Sequence, residues 1–101
     1  MRPATKGSLG GDVVKGIVKA KHNFVLNRLR RYEGREINDP DFGRAGTDFL
    51  EADVGQARPG DPQGIRGSKR LVLKIQNRRI VAMYFTDSHY APGTLVRIVD
   101  F

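Results

Sequence analysis

Alternation is the clearest pattern along the chain. In TDFLEADV, Leu50, Ala52 and Val54 fall on one face of an extended segment and Phe49, Glu51 and Asp53 on the other, which predicts a half-buried strand. SKRLVLKI repeats the pattern with Leu71, Leu73 and Ile75 inward and Arg70, Val72 and Lys74 opposite. The second strand therefore presents cations where the first presents carboxylates. QNRR reads as a hairpin turn into IVAMYFT, which is apolar on both faces and so central, and TLVRIVD supplies a last strand. Between the first two strands, GQARPGDPQG is a loop by its turn residues.

Upstream the period changes. In DVVKGIVKAKHNFVLNRLRRYEG, residues Val14, Ile17, Val18, Val25, Leu26 and Leu29 recur at roughly helical spacing, with Asp12 as N-cap and Gly34 as stop. One or two helices are expected, most firmly over Asn23–Glu33; DVVKGIVKA alone also reads as a strand. Residues 1–11, rich in Gly, Ser, Pro and Thr, read as a flexible lead or linker remnant, and 12–101 as a single domain. The expected class is α+β, an N-terminal helix or helices packed on a twisted antiparallel sheet.

Composition narrows the chemistry. The 101 residues carry a net charge of +7 and no cysteine, which excludes disulfides, thiolate zinc sites and cysteine nucleophiles. No apolar stretch has signal-peptide or membrane-span length, so the chain reads as soluble, without a membrane partner. Cations cluster in two runs, Lys6 to Arg35 and Arg66 to Arg79, around an acidic centre from Glu36 to Asp61. That excess attracts polyanions, nucleic acid first, although a solvated basic face or an acidic protein partner would account for the charge equally well. No phosphate-binding glycine loop, His-Glu-x-x-His or EF-hand pattern occurs, so neither a metal nor a small-molecule cofactor is expected.

If the strands form a meander, Glu51, Arg70 and His89 reach one face, and Arg66 enters from the preceding loop. Taken singly, each is more often an ordinary surface or structural residue. Together, a carboxylate, a histidine and two guanidinium groups are what metal-free cleavage of an RNA phosphodiester requires. One group removes a proton from the 2′-hydroxyl, another protonates the leaving 5′-oxygen, and cations hold the phosphorane. A basic sheet face that merely tracks RNA or DNA phosphates, without catalysis, is the alternative. His22, in the helical region, reads as a solvent-facing residue, with a catalytic role as the runner-up.

Three ordered segments resemble barnase and the guanyl-specific microbial ribonucleases. LEADV resembles the strand bearing that family's catalytic glutamate, GIRGSKRLVL its Arg-Gly-x-x-Arg segment, and YFTDSHYAPGTLVRI its histidine-tyrosine ending, with Ser88 where the family has aspartate. The likeness covers Thr47 to Ile98. It implies a microbial ribonuclease-like fold, with Glu51 as general base, His89 as general acid, Arg66 and Arg70 as the phosphate clamp and Tyr90 as a substrate-side contact. Lys69, inside the same basic segment, joins the substrate-binding set. GREIN, with Arg35 and Glu36, resembles the family's guanine-reading loop. The implied reaction is transesterification through a 2′,3′-cyclic phosphate. Toxin domains of this superfamily sit at the tips of larger proteins that are secreted or delivered into target-cell cytoplasm. The resemblance therefore also implies an acidic immunity protein as partner.

Overall fold

The alternating segments build the centre of the molecule. The computed structural model describes residues 2–55 and 67–101. In chain order these form β1 (Arg2–Ala4), α1 (Lys6–Leu9), α2 (Gly11–Val25), β2 (Arg30–Arg31), β3 (Thr47–Asp53), β4 (Arg70–Gln76), β5 (Arg79–Thr86) and β6 (Val96–Ile98). The six strands make one sheet in the order β1-β6-β5-β4-β3-β2. Strands β3 to β6 are the expected antiparallel meander, β2 adds antiparallel to β3, and β1 runs parallel to β6, so the sheet is mixed. The class is α+β. Arg66, and all of the loop read over 55–64 except Gly55, lie outside the described residues.

The period-two reading divides the sheet into two faces. Ala52, Val54, Leu71, Leu73, Ile75, Met83, Phe85 and Ile98 pack with Val13, Ile17 and Ala20 of α2. Phe49, Val72, Ala82 and Tyr84 point the other way, where Tyr32, Ile37, Tyr90 and Leu95 from the connecting loops cover them. Each fully buried aliphatic side chain here contributes about 1.5–3 kcal/mol. Gly16, at the contact of α2 with the sheet, faces Val54 and Leu71; a Cβ there would stand 3.3 Å from the Val54 methyls, so glycine lets helix and sheet approach closely. The β4–β5 hairpin turns through Asn77 and Arg78 at φ 51° and 62°, as a type I′ turn requires. β5 lies inside the sheet as expected, but a register shift between Lys74 and Ile75 leaves Val81 unpaired in the β4 ladder and exposed, so the strand is not buried on both faces throughout.

The N-terminal expectations need correction. The helix covers Gly11–Val25, the segment whose first half also read as a strand, and Asn23–Glu33 is for the most part not helical. Its buried positions are Val13, Gly16, Ile17 and Ala20, whereas Val18 and Val25 are 66% and 80% exposed. The stop is Asn27, not Gly34. Asn27 adopts φ 54° while its N–H and that of Arg28 bond back to the carbonyls of Phe24 and Asn23, a Schellman closure with asparagine in the left-handed position. Asp12 lies in the first turn and Gly10 is the N-cap. Residues 2–9, expected as a flexible lead, contain β1 and α1. Ala4 O accepts from Val99 N at 2.9 Å, and the Lys6 amide donates to Asp100 Oδ1 at 2.7 Å.

Candidate active site

Cross-strand register decides which side chains meet. Arg30 pairs with Glu51, Glu51 with Val72, and Asp53 with Arg70, so β2, β3 and β4 bring two carboxylates and two guanidinium groups onto the face opposite α2. Arg30 Nε donates to Glu51 Oε2 at 3.0 Å and its Nη2 to Asp53 Oδ1 at 2.6 Å. Arg70, only 3% exposed, places Nε 2.9 Å from Asp53 Oδ1 and 3.9 Å from Glu51 Oε1. That Nε contact is an ion pair not aligned as a hydrogen bond, while Nη1 donates to the carbonyls of Gly67 and Lys69 at 2.9 and 2.8 Å. A buried guanidinium without such partners would be costly, so the four charges hold one another in place.

The segment after β5 closes over this cluster. Thr86 is fully buried, and its Oγ1 accepts from the amides of Ser88 and Tyr90 at 3.2 and 3.3 Å. Those bonds hold a turn in which His89 and Tyr90 both take left-handed backbone, φ 48° and 67°, at about 1–2 kcal/mol per residue. The preceding loop clasps it: His89 N donates to Ser68 O at 2.8 Å and Ser68 Oγ to Asp87 O at 2.7 Å. The turn aims Tyr90 inward, where its hydroxyl donates to Glu51 Oε1 at 2.6 Å, and leaves His89 exposed beside it with ring centroids 5.3 Å apart. Burial and the Glu51 bond push the Tyr90 hydroxyl well above its ordinary range, so it stays a proton donor.

A second tyrosine extends the cluster. The Tyr32 ring lies 5.0 Å from Tyr90, and its hydroxyl donates to Glu36 Oε2 at 2.6 Å. That bond, with a smaller contribution from the nearby His89, holds the Glu36 carboxyl below its ordinary range. Gly34 makes the arrangement possible, since a Cβ there would overlap Glu36 Oε2 and the Tyr32 ring.

Of the residues singled out in the sequence, Glu51, Arg70 and Tyr90 come together directly, His89 adjoins them through its ring contact with Tyr90, and Glu36 joins them through Tyr32. Arg35 is exposed next to Glu36, and Lys69 is exposed with its carbonyl held by Arg70. His22 stands exposed on the last turn of α2, in the layer across the sheet. Arg30, Tyr32 and Asp53 belong to the cluster and were not singled out. Asp53 was on the right face by alternation. The signal for the other two was RRY following Asn27, an exposed-exposed-buried pattern hidden by reading that segment as helix.

A separate network lies farther along the same face. Lys74 Nζ donates to Asp39 Oδ1 at 3.0 Å and Asp41 Oδ2 at 2.6 Å, and the Tyr84 hydroxyl donates to Asp39 Oδ2 at 2.5 Å. Burial pushes the Asp39 carboxyl up, but the bonds from Tyr84, the Asp41 amide and Lys74 outweigh it and hold it below its ordinary range. This network ties the loop after β2 to the sheet. Among the described residues, no group of three or more His, Asp or Glu side chains is placed to hold a metal ion, and no helix is long and apolar enough to cross a membrane. The chain matches no protein-family model, and searches of curated proteins and of solved structures find no match.

Proposed function

We propose that the protein is a metal-independent endoribonuclease of microbial ribonuclease-like fold, cleaving RNA by transesterification through a 2′,3′-cyclic phosphate. The observation that carries the reading is the Tyr90–Glu51 hydrogen bond, which joins positions 39 residues apart and brings the His89 turn against a carboxylate flanked by two arginines. In this reading Glu51 takes the 2′-hydroxyl proton. A carboxylate has about four lone-pair directions, so its bonds to Arg30 and Tyr90 leave acceptor sites for substrate. His89, exposed at the rim, donates a proton to the leaving 5′-oxygen. Arg30, at the edge of the cluster, and the buried Arg70 behind it supply the positive charge that stabilises the phosphorane. Tyr90 orients Glu51, and Glu36 and Arg35 face the base.

Incubation of purified protein with RNA in excess chelator tests the proposal. Products ending in 2′,3′-cyclic phosphate are expected, with a bell-shaped pH dependence because one group must be ionised and the other protonated. Intact RNA, or cleavage that requires added metal, would overturn it. As a domain held by a cognate inhibitor, the protein would need an acidic partner to match its positive field.

A further inference from the structure

Beside the proposed catalytic cluster lies a cleft of about 420 Å³ that the chemistry above does not use. Its walls are aromatic: Tyr32, Phe42 and Phe49 line it, with Phe42 ring centroids 5.9 Å from Tyr32 and 5.3 Å from Phe49. Phe42 is 36% exposed, whereas Tyr32 and Phe49 are buried, so its ring is the one offered to solvent. Arg31 and Arg44 stand at the rim with side chains 73% and 71% exposed. Their partners are Asp48 at 3.8 Å and Asp41 at 3.5 Å, long exposed ion pairs of the kind that contribute little and exchange readily for a phosphate. Tyr32 is shared between the two regions, since its ring also touches Tyr90 at 5.0 Å. A partly exposed aromatic ring in a cleft with arginines beside it is an arrangement that takes an unstacked base and its phosphate.

We infer that this cleft is a subsite for a nucleotide of single-stranded RNA lying beyond the scissile bond, with the base stacked on Phe42 and the phosphate held by Arg31 and Arg44. The inference rests on the ribonuclease reading and deepens it: the substrate is an unpaired strand longer than a dinucleotide. A duplex keeps its bases stacked and out of reach of Phe42.

Binding and turnover are measured separately. Fluorescence anisotropy with 2′-O-methyl oligonucleotides, whose blocked hydroxyl prevents cleavage, compares a dinucleotide, a hexanucleotide and the same hexanucleotide in a duplex. The single-stranded hexanucleotide should bind roughly tenfold or more tighter than the dinucleotide, as one base–aromatic stack implies. Phe42→Ala should remove most of that advantage and Phe42→Trp preserve it, both with an unchanged circular dichroism spectrum. Arg44→Ala should weaken the hexanucleotide and flatten its salt dependence. An equal affinity for both lengths, a length advantage that survives Phe42→Ala, or a duplex bound as tightly as the single strand would overturn the subsite. Turnover of unmodified RNA decides the other claim. Intact turnover without a Phe42-dependent length advantage overturns the subsite alone; no turnover with that advantage present overturns the ribonuclease reading alone.

Discussion

Tyr90 and Arg30 both end on Glu51, one as a neutral donor and one as a cation, and this division gives each a separate test. Tyr90→Phe removes a hydrogen bond to a charged group, so RNA-cleaving activity should fall by about 10- to 100-fold, in line with about 1.5–3 kcal/mol for such a bond. An unchanged kcat/KM would show that Glu51 needs no orientation from that hydroxyl. Thr86→Val keeps the buried volume and removes the acceptor that holds the His89–Tyr90 turn. It should lower unfolding free energy in urea by about 1–3 kcal/mol and reduce activity together with it. The shared face of Glu51 and Arg70 was legible in the sequence because strand alternation puts both there, and His89 was grouped with them only because its residue type fits the same reaction. The inward turn of Tyr90 was not legible, because it depends on two consecutive left-handed residues held by a threonine eight positions before its other hydroxyl partner, Thr94. No local propensity encodes such a contact.

At the level of elements, period two proved the more informative signal. Strands β3 and β4 lie where alternation puts them, since one face of each must be buried and a one-residue slip would expose it, and β5 lies inside the sheet as its apolar run predicts. The N-terminal segment misled because apolar residues at Val18, Val25 and Leu26 complete a helical stripe that the fold leaves exposed. The helix instead buries a narrow line of small and branched residues, Val13, Gly16, Ile17 and Ala20, and Asn27 ends it early enough for Arg30 to reach β3. Strand β1 was illegible because a three-residue parallel edge depends on the far end of the chain. The type I′ turn of the β4–β5 hairpin offers a clean check. Arg78 sits at φ 62°, where glycine carries no steric penalty, so Arg78→Gly should stabilise the protein by up to about 1 kcal/mol in chemical denaturation. A loss of stability would mean that the arginine side chain makes a contact worth more than the backbone strain.

Across the whole molecule, charge sets the response to pH. The carboxyls of Glu36 and Asp39 are depressed below ordinary values of 4.5 and 3.8 in the folded protein, so they bind protons more readily when unfolded. Their contribution to stability is therefore present above about pH 4–5 and is lost as acid titrates them through their lowered folded values. The midpoint of thermal unfolding should fall steadily below pH 4, and Asp39→Asn should blunt that fall; a midpoint flat to pH 2 would contradict the assignment. The same excess of cations predicts that association with RNA weakens as salt rises. The central claim is chemical, and the nature of the cleaved ends tests it most directly. With a defined RNA in excess chelator, the wild-type protein should produce 2′,3′-cyclic phosphate ends, and Glu51→Gln and His89→Ala should each lower that rate by about 10²–10⁴-fold while remaining folded. Salt-sensitive binding of the same RNA without any cleaved product would contradict it.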